Sequence, residues 1–507
     1  MSNSIIAKNT IFLYIRMLLT MAVTLYTSRV VLATLGVEDY GLYNVVGGVV
    51  TMFAFLNGTL SGATQRFITY EIGVGNQENL NRVFNTAMCI HWMVAILVFV
   101  LAETVGLWFL YNKLVISAER LTAALWVYQF SVLSTMVLIV SLPYNACIIA
   151  HEKMSAFAYI SIIEVLLKLV IVYLLSLTKY DKLIVYAFLL FLVQLLIRGI
   201  YTIYSKRNFE ETHYSLKLDR SLAKEMVGFT GWSFFGGLAS VGMGQGINVL
   251  LNVFFSPVVI AARAIAQQVE NAIFSFVQNF QTAMNPQIMK NYASNNLQQM
   301  HNLVFASCRY SYYLLFMIVL PIALETPFIL SVWLEEVPEY TISFLRITML
   351  IGLVNSLSTP LMTAANASGH IKKYQIVVGT ILILIVPIAY VALKLGGTPE
   401  SVLWIYLGVV VLAQCARLMI VRGLVNLSIR KFCVSVIIPV LKVSLISVIL
   451  PVFINHYLGD AIINILVVCL VSVLSVLLTI YFIGINQSER EFLNQKVKVV
   501  LQRLKIK

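Results

Sequence analysis

Arg263, Gln267, Glu270, Asn271, Gln278, Gln281 and Asn285 recur at helical spacing and fall on one side of a single apolar segment. A guanidinium, a carboxylate and a row of amides in one line cannot face lipid, because a charge at mid-bilayer costs about 2.5 to 3.5 kcal/mol on insertion scales. The favoured reading is a stripe that lines a hydrated cavity, with a buried structural network as the alternative. Glu270 is then a candidate to take up a coupling proton or cation, and Glu103 is a second such carboxylate.

Other intramembrane charges invite plainer readings. Arg16 and Arg29 lie thirteen residues apart, so they point in different directions on one helix and cannot share one small site. Each can either line a cavity or snorkel to its nearer interface. Arg66, Arg198, Arg309, Arg417 and Arg422 fall at predicted cytoplasmic span ends, where snorkelling is expected. Glu164 and Lys168, one turn apart with Glu first, suit an intrahelical ion pair, and Glu325 and Arg346 share a depth that allows a bridge between helices. Asn44, Gly47, Gly48, Thr51, Gly58, Gly62 and Arg66 form a small-and-polar stripe whose plain explanation is tight helix packing. The glycine-rich run Gly228 to Gly246 is expected either to pack closely or to bend.

The elements that must position these residues are membrane spans. Of 507 residues 60% are hydrophobic and 11% charged, with a mean hydropathy of +0.89, outside the range of a soluble globular domain. Runs long enough to cross a bilayer are predicted near 10–33, 41–66, 83–110, 121–149, 155–177, 183–205, 226–251, 259–284, 303–333, 341–367, 374–393, 401–423, 433–455 and 461–484. They are apolar on all sides where a barrel strand would alternate, which predicts an all-α membrane protein of about fourteen helices. The N-terminal segment, without a cleavage-type h-region, is read as the first span. Among the Lys and Arg, only Lys113, Arg120, Lys179, Lys182 and Lys394 fall in predicted outer loops, so both termini are expected inside the cell. The formal charge of +13 is thus a topology signal and implies no nucleic-acid partner. Six cysteines, all in or beside spans, form no metal-ligand spacing and read as core thiols, and no cofactor is implied. Walker, HExxH and nucleophile-elbow motifs are absent, and a Gly-x-Gly-x-Gly within a span has no strand before it.

A weak internal repeat is visible. An offset of 220 residues lays Val49 on Val269, Ala63 on Ala283, Ile68 on Ile288 and Asn76 on Asn296, and an offset of 217 lays Pro143 on Pro360 and Ala150 on Ala367. Six spans per copy means that both copies insert the same way up. The organisation expected is an N-lobe over 1–205, a cytoplasmic linker over 206–225, a C-lobe over 226–423, two extra spans over 424–484 and a basic tail over 485–507. In the tail, Leu493, Val497, Val500 and Leu504 share a face, which suits either an amphipathic helix on the inner leaflet or a solvated segment.

The run Ser28 to Val46, SRVVLATLGVEDYGLYNVV, and the run Val259 to Ala293 resemble the first-loop signature and the start of the second half of bacterial polysaccharide flippases. Those proteins share a superfamily with lipid II flippases and multidrug and toxin extruders. The resemblance implies two six-helix lobes around a central cavity lined largely by spans one, two, seven and eight. It also implies a polyprenyl-diphosphate-linked oligosaccharide as cargo, moved to the outer leaflet of the inner membrane by alternating access, with membrane lipids and other polysaccharide assembly proteins as partners. On that reading Arg29 and Arg263 are candidates for the diphosphate, with Arg16 and Arg66 as further cations and Gln267, Asn271 and Gln278 for sugar hydroxyls. The competing expectations are a cation-coupled exporter of amphipathic drugs and a membrane polymerase or ligase of glycan assembly. The first would favour an acidic N-lobe site, and the second would need a larger outer loop.

Overall fold

The computed structural model describes residues 2–51, 54–113, 116–213, 217–255, 257–334, 336–457, 462–487, 489–491 and 494, and the described backbone is helical with no strand. The tail expectation falls mostly on residues outside that set. In chain order the helices are α1 (Ser2–Thr51), α2 (Ala54–Val74), α3 (Gln77–Asn112), α4 (Ala118–Ala150), α5 (Met154–Leu177), α6 (Lys182–Asn208), α7 (Arg220–Phe254) and α8 (Pro257–Ala293). There follow α9 (Leu297–Leu324), α10 (Thr326–Trp333), α11 (Thr341–Ser368), α12 (Lys372–Lys394), α13 (Pro399–Val425), α14 (Ile429–Tyr457) and α15 (Asn464–Gly484). Eleven are long and apolar enough to cross a membrane. The polar stripe of α8 keeps it out of that number. Gly36, at φ 83° and ψ 167°, breaks α1 between the first two predicted spans, so over the described residues all fourteen expected spans fall on helices. This is a multi-pass helical membrane protein.

Local chemistry explains many of the ends. Asn76 accepts from the Asn79 amide at the start of α3, Asp181 accepts from the Leu183 and Ile184 amides at the start of α6, and Pro399 opens α13 where its missing N–H costs nothing. The repeat seen in sequence is sharper in these boundaries. Helices α3 and α9 start at 77 and 297, while α6 and α13 span 182–208 and 399–425. Left-handed residues recur at Gly75 and Asn295 and again at Glu152 and Gly369.

By packing, the chain forms two compact units, Met1–Gly237 with Met289–Asn296, and Leu238–Ile288 with Leu297–Lys507. In the first unit α4 is central, packed on α2, α3 and α6, while α1 lies along α5. In the second, α13 packs on α11 and α12, and α9 packs on α11 and α15. The pairs α4–α6 and α11–α13 are therefore repeat-equivalent contacts. The extra helices are fastened to α9 by polar seams: Tyr312 pairs with Ser444 at 2.8 Å, and the Tyr313 hydroxyl donates to the Gly484 carbonyl at 3.0 Å.

Two glycine expectations are revised. A Cβ on Gly58 or Gly62 would meet nothing within 4 Å, so these residues do not serve tight packing. In α7, an unbroken helix, Gly228, Gly231, Gly242 and Gly244 likewise face open space, whereas Gly246 is closely packed, on Val386. Of the cysteines, Cys89, Cys147 and Cys308 are buried as expected, whereas Cys415 is exposed.

Candidate functional site

In the first unit the packing of α1 beside α5 and α6 gathers four charges from three helices. Glu164 on α5 accepts from Lys168 Nζ at 2.7 Å, which confirms the intrahelical pair. The same carboxylate is close enough to interact electrostatically with Arg16 from α1 and Arg198 from α6. Both guanidinium groups rest on aromatic rings, Arg16 at 4.6 Å from the Phe157 centroid and Arg198 at 5.5 Å from that of Tyr201. Tyr201 in turn lies 3.4 Å from the Ser161 hydroxyl. Three cations thus surround one carboxylate, a surplus of two positive charges in an apolar setting. Such a surplus favours an anionic guest, because attraction between charges strengthens as water is excluded.

Lys168 also faces a cavity of about 180 Å³ in the same unit, where Thr24, Thr27, Tyr40, Tyr43 and Tyr186 add hydroxyls to its wall. The motif carrying the flippase resemblance builds this end of the unit. Past the break at Gly36, Asp39 receives the Arg120 guanidinium, with Nε at 2.9 Å, and Arg120 also reaches Asp181 at 2.5 Å. Tyr43 meets Tyr186 edge to face at 5.0 Å. The motif's acidic residue therefore ties the starts of α4 and α6 to α1. Arg29 lies on the helical backbone of α1, but its side chain is outside the described set, as are those of Asn44 and Thr51.

In the second unit the stripe of α8 separates into two groups. Arg263, 5% exposed, donates to Thr348 at 3.1 Å and to Gln267 Oε1 at 2.9 Å. That contact fixes the amide, so Gln267 Nε2 points at Glu270 Oε2, 2.8 Å away, and more loosely at Asn271. The Glu270 carboxylate lies beside Gly352, where a Cβ would meet it at an ordinary contact of 4.0 Å. Deeper in, Gln281 donates to Ser311 and to the Ser356 carbonyl at 3.1 Å, and Asn285 accepts from Thr363 at 2.9 Å. Asn271 and Gln278 are exposed. The stripe is thus a buried network over part of its length and an open polar surface over the rest.

Several arginines expected to snorkel do not. Arg66 is 6% exposed and is enclosed by Phe67, Tyr70 and Phe229 at 4.4, 5.1 and 5.5 Å, with Glu225 at 3.9 Å. Arg309 is buried against Glu489 at 2.5 Å, and Arg417 is buried against Ser358 at 2.9 Å. Arg422 is exposed. Arg346 donates to the Ala323 carbonyl at 3.0 Å. Sequence reading missed Lys168 and Arg198 as members of a cationic cluster. The available signal was the depth of Arg198, similar to that of Arg16, and the helix neighbourhood that unites the cluster is set by packing.

No protein-family model matches the chain, and no curated protein matches it in sequence. Solved structures do match in fold. The chain is similar to a MATE protein in its bent conformation (TM-score 0.71, 14% identity, 84% of this chain and 96% of that one). It is similar also to the outward-facing conformation of a multidrug resistance MATE family transporter of the MOP superfamily (0.68, 15%, 83% and 96%). A third likeness is to a MOP superfamily transporter from Pyrococcus furiosus, for which a binding pocket of reverse polarity was taken to suggest a different function (0.67, 12%, 83% and 96%). The chain shares the fold of these solved structures.

Proposed function

We propose that the protein is a transporter that works by alternating access and flips an anionic amphiphile, a polyprenyl-diphosphate-linked oligosaccharide, across the bacterial inner membrane. The observation that carries this reading is the surplus of positive charge around Glu164, formed by Arg16, Lys168 and Arg198. A site for cationic drugs would be expected to invert that balance. The diphosphate is the group such a cluster suits, since guanidinium offers paired donors to phosphate oxygens. Tyrosine faces and hydroxyls in the adjoining cavity suit a sugar ring. The exposed amides Asn271 and Gln278 extend the polar surface, and Glu270, held by Gln267, is the candidate for a coupling proton or cation. Both termini are assigned to the cytoplasm from the charge distribution.

The fold relatives favour a second reading, because one of them is named a multidrug resistance transporter. An exporter of amphipathic cations coupled through Glu270 is that alternative. The discriminating experiment follows lipid-linked repeat units on each leaflet after depletion of the protein and its restoration as wild type, Arg16→Ala or Arg198→Ala. The flippase reading expects accumulation on the inner leaflet, relieved by wild type and at least about tenfold less well by either variant, the scale of one lost charge-assisted bond. If the lipid-linked units distribute normally without the protein while lipophilic cations accumulate in the cells, the exporter reading replaces it.

A further inference from the structure

At the predicted cytoplasmic end of the first unit, the last turn of α2 meets the last turn of α8. A Cβ on Gly73 would stand 2.7 Å from the Ala293 Cβ and 2.9 Å from both the Cα and the carbonyl oxygen of Lys290, so only glycine admits this backbone approach. The offset of 220 residues carries Gly73 onto Ala293. Equivalent residues of the two repeats therefore touch, as they do where helices cross on a pseudo-two-fold axis.

One ion pair fastens this crossing. Lys290 Nζ reaches Glu152 Oε1 at 2.5 Å, and both side chains are largely withdrawn from solvent. Glu152 occupies the turn between α4 and α5 at φ 59°, in the left-handed region that glycine favours. Its repeat mate is Gly369, at φ 77°, and the repeat mate of Lys290 is Tyr70. The turn itself thus calls for glycine, and the charged pair is present at one of two equivalent places. The preceding residue of the same turn, His151, stacks on Phe209 at 4.2 Å and meets Glu211 at 2.6 Å, so the turn also grips the segment joining the halves.

We propose that Glu152 and Lys290 form a releasable latch that holds the ends of α2 and α8 together and so shuts the inner end against cargo. The proposal rests on the alternating-access reading and on the orientation drawn from charge. Release of the pair frees the Gly73–Ala293 crossing to separate, which is the opening that loading from the inner leaflet requires.

The test places spin labels, through non-native amino acids, at the exposed positions Val74 and Ser294 of the full chain in nanodiscs without cargo. Distances are then compared for wild type, Glu152→Gly, Lys290→Ala and the charge reversal Glu152→Lys with Lys290→Glu. Glycine keeps the turn at φ 59°, so Glu152→Gly removes the latch without straining the fold. The expected result is one short distance in wild type, an added longer population in both single variants, and return of the short distance on charge reversal. A wild-type distribution in Glu152→Gly, or a charge reversal that stays open, overturns the latch. Because no cargo is present, the outcome is independent of what the protein carries.

Discussion

At the residue scale, the sequence told how deep each charge lies but not which way it points. Arg66 was expected to reach for the interface, and three aromatic rings hold it inside instead. Phe67 and Tyr70 belong to its own helix, but Phe229 and Glu225 come from α7, which no local pattern reveals. The segment joining the halves shows the same limit. Read as a linker of mixed charge, it is docked at residues 209–212, where Glu211 is 2% exposed. Burial pushes the Glu211 carboxyl up, but the hydrogen bond from His151 and its own backbone amide outweigh this and hold it below the ordinary carboxylate range. Asp219 is also held down, first by the Leu222 amide and then by Arg82. A depressed folded pKa adds stability that is present above the unfolded value of about 4.3 and fades as pH falls through the lower folded value. Hydrogen exchange over residues 206–213 should therefore stay slow from pH 7 to 5 and rise below about pH 4. His151→Ala should raise it already at pH 7, by roughly 1 to 3 kcal/mol of lost local stability, because Glu211 is then left buried without that donor. Unchanged exchange in the variant would show that the contact does not hold the segment.

At the element scale, helix existence was legible almost everywhere from long apolar runs, whereas the exact starts, capped in the structure at Asn76, Asp181 and Thr398–Pro399, lie up to six residues before the predicted ones. What hydropathy could not show is where a span departs from regular geometry. Residues Ala102–Gly106 of α3 form a π-turn, and the fully buried Tyr128 of α4 donates its hydroxyl to the Ala102 carbonyl at 2.7 Å. A Cβ on Gly106 would collide with that hydroxyl, so the glycine and the tyrosine are matched across two helices. The bulge also presents Glu103 to Gln129, 3.2 Å away. Such an insertion depends on a partner 22 positions along the chain from Gly106 and leaves no local trace. Gly106→Ala should lower stability by about 1 to 3 kcal/mol through overpacking, read as a lower thermal midpoint in detergent. Adding Tyr128→Phe should recover part of that loss by removing the oxygen that the new methyl strikes. If the single variant melts with wild type, α3 can yield and the match is not required.

At the scale of the whole molecule, the repeat was faint in residue identities yet clear once helix ends could be compared. Few side chains need to be shared for two copies to keep the same lengths and turns. The turn that closes α4 at Glu152 and the turn that closes α11 at Gly369 are repeat mates, and each follows an even number of predicted spans. Two copies of six spans enter the membrane the same way up, so these turns must open on one side, and the loops after α5 and α12 on the other. Charge places the first side in the cytoplasm. Single cysteines at the exposed positions Lys153 and His370 should accordingly react with a membrane-impermeant maleimide only in inside-out vesicles, and those at Lys179 and Lys394 only in intact spheroplasts. The background for this test replaces the exposed Cys415, whereas the buried Cys89, Cys147 and Cys308 stay in place. Agreement within each pair tests the parallel repeat, and the side on which each pair reacts tests the orientation. If Lys153 and His370 react from opposite sides, the copies are inverted relative to each other. The repeat-mate argument for the latch would then lose its axis.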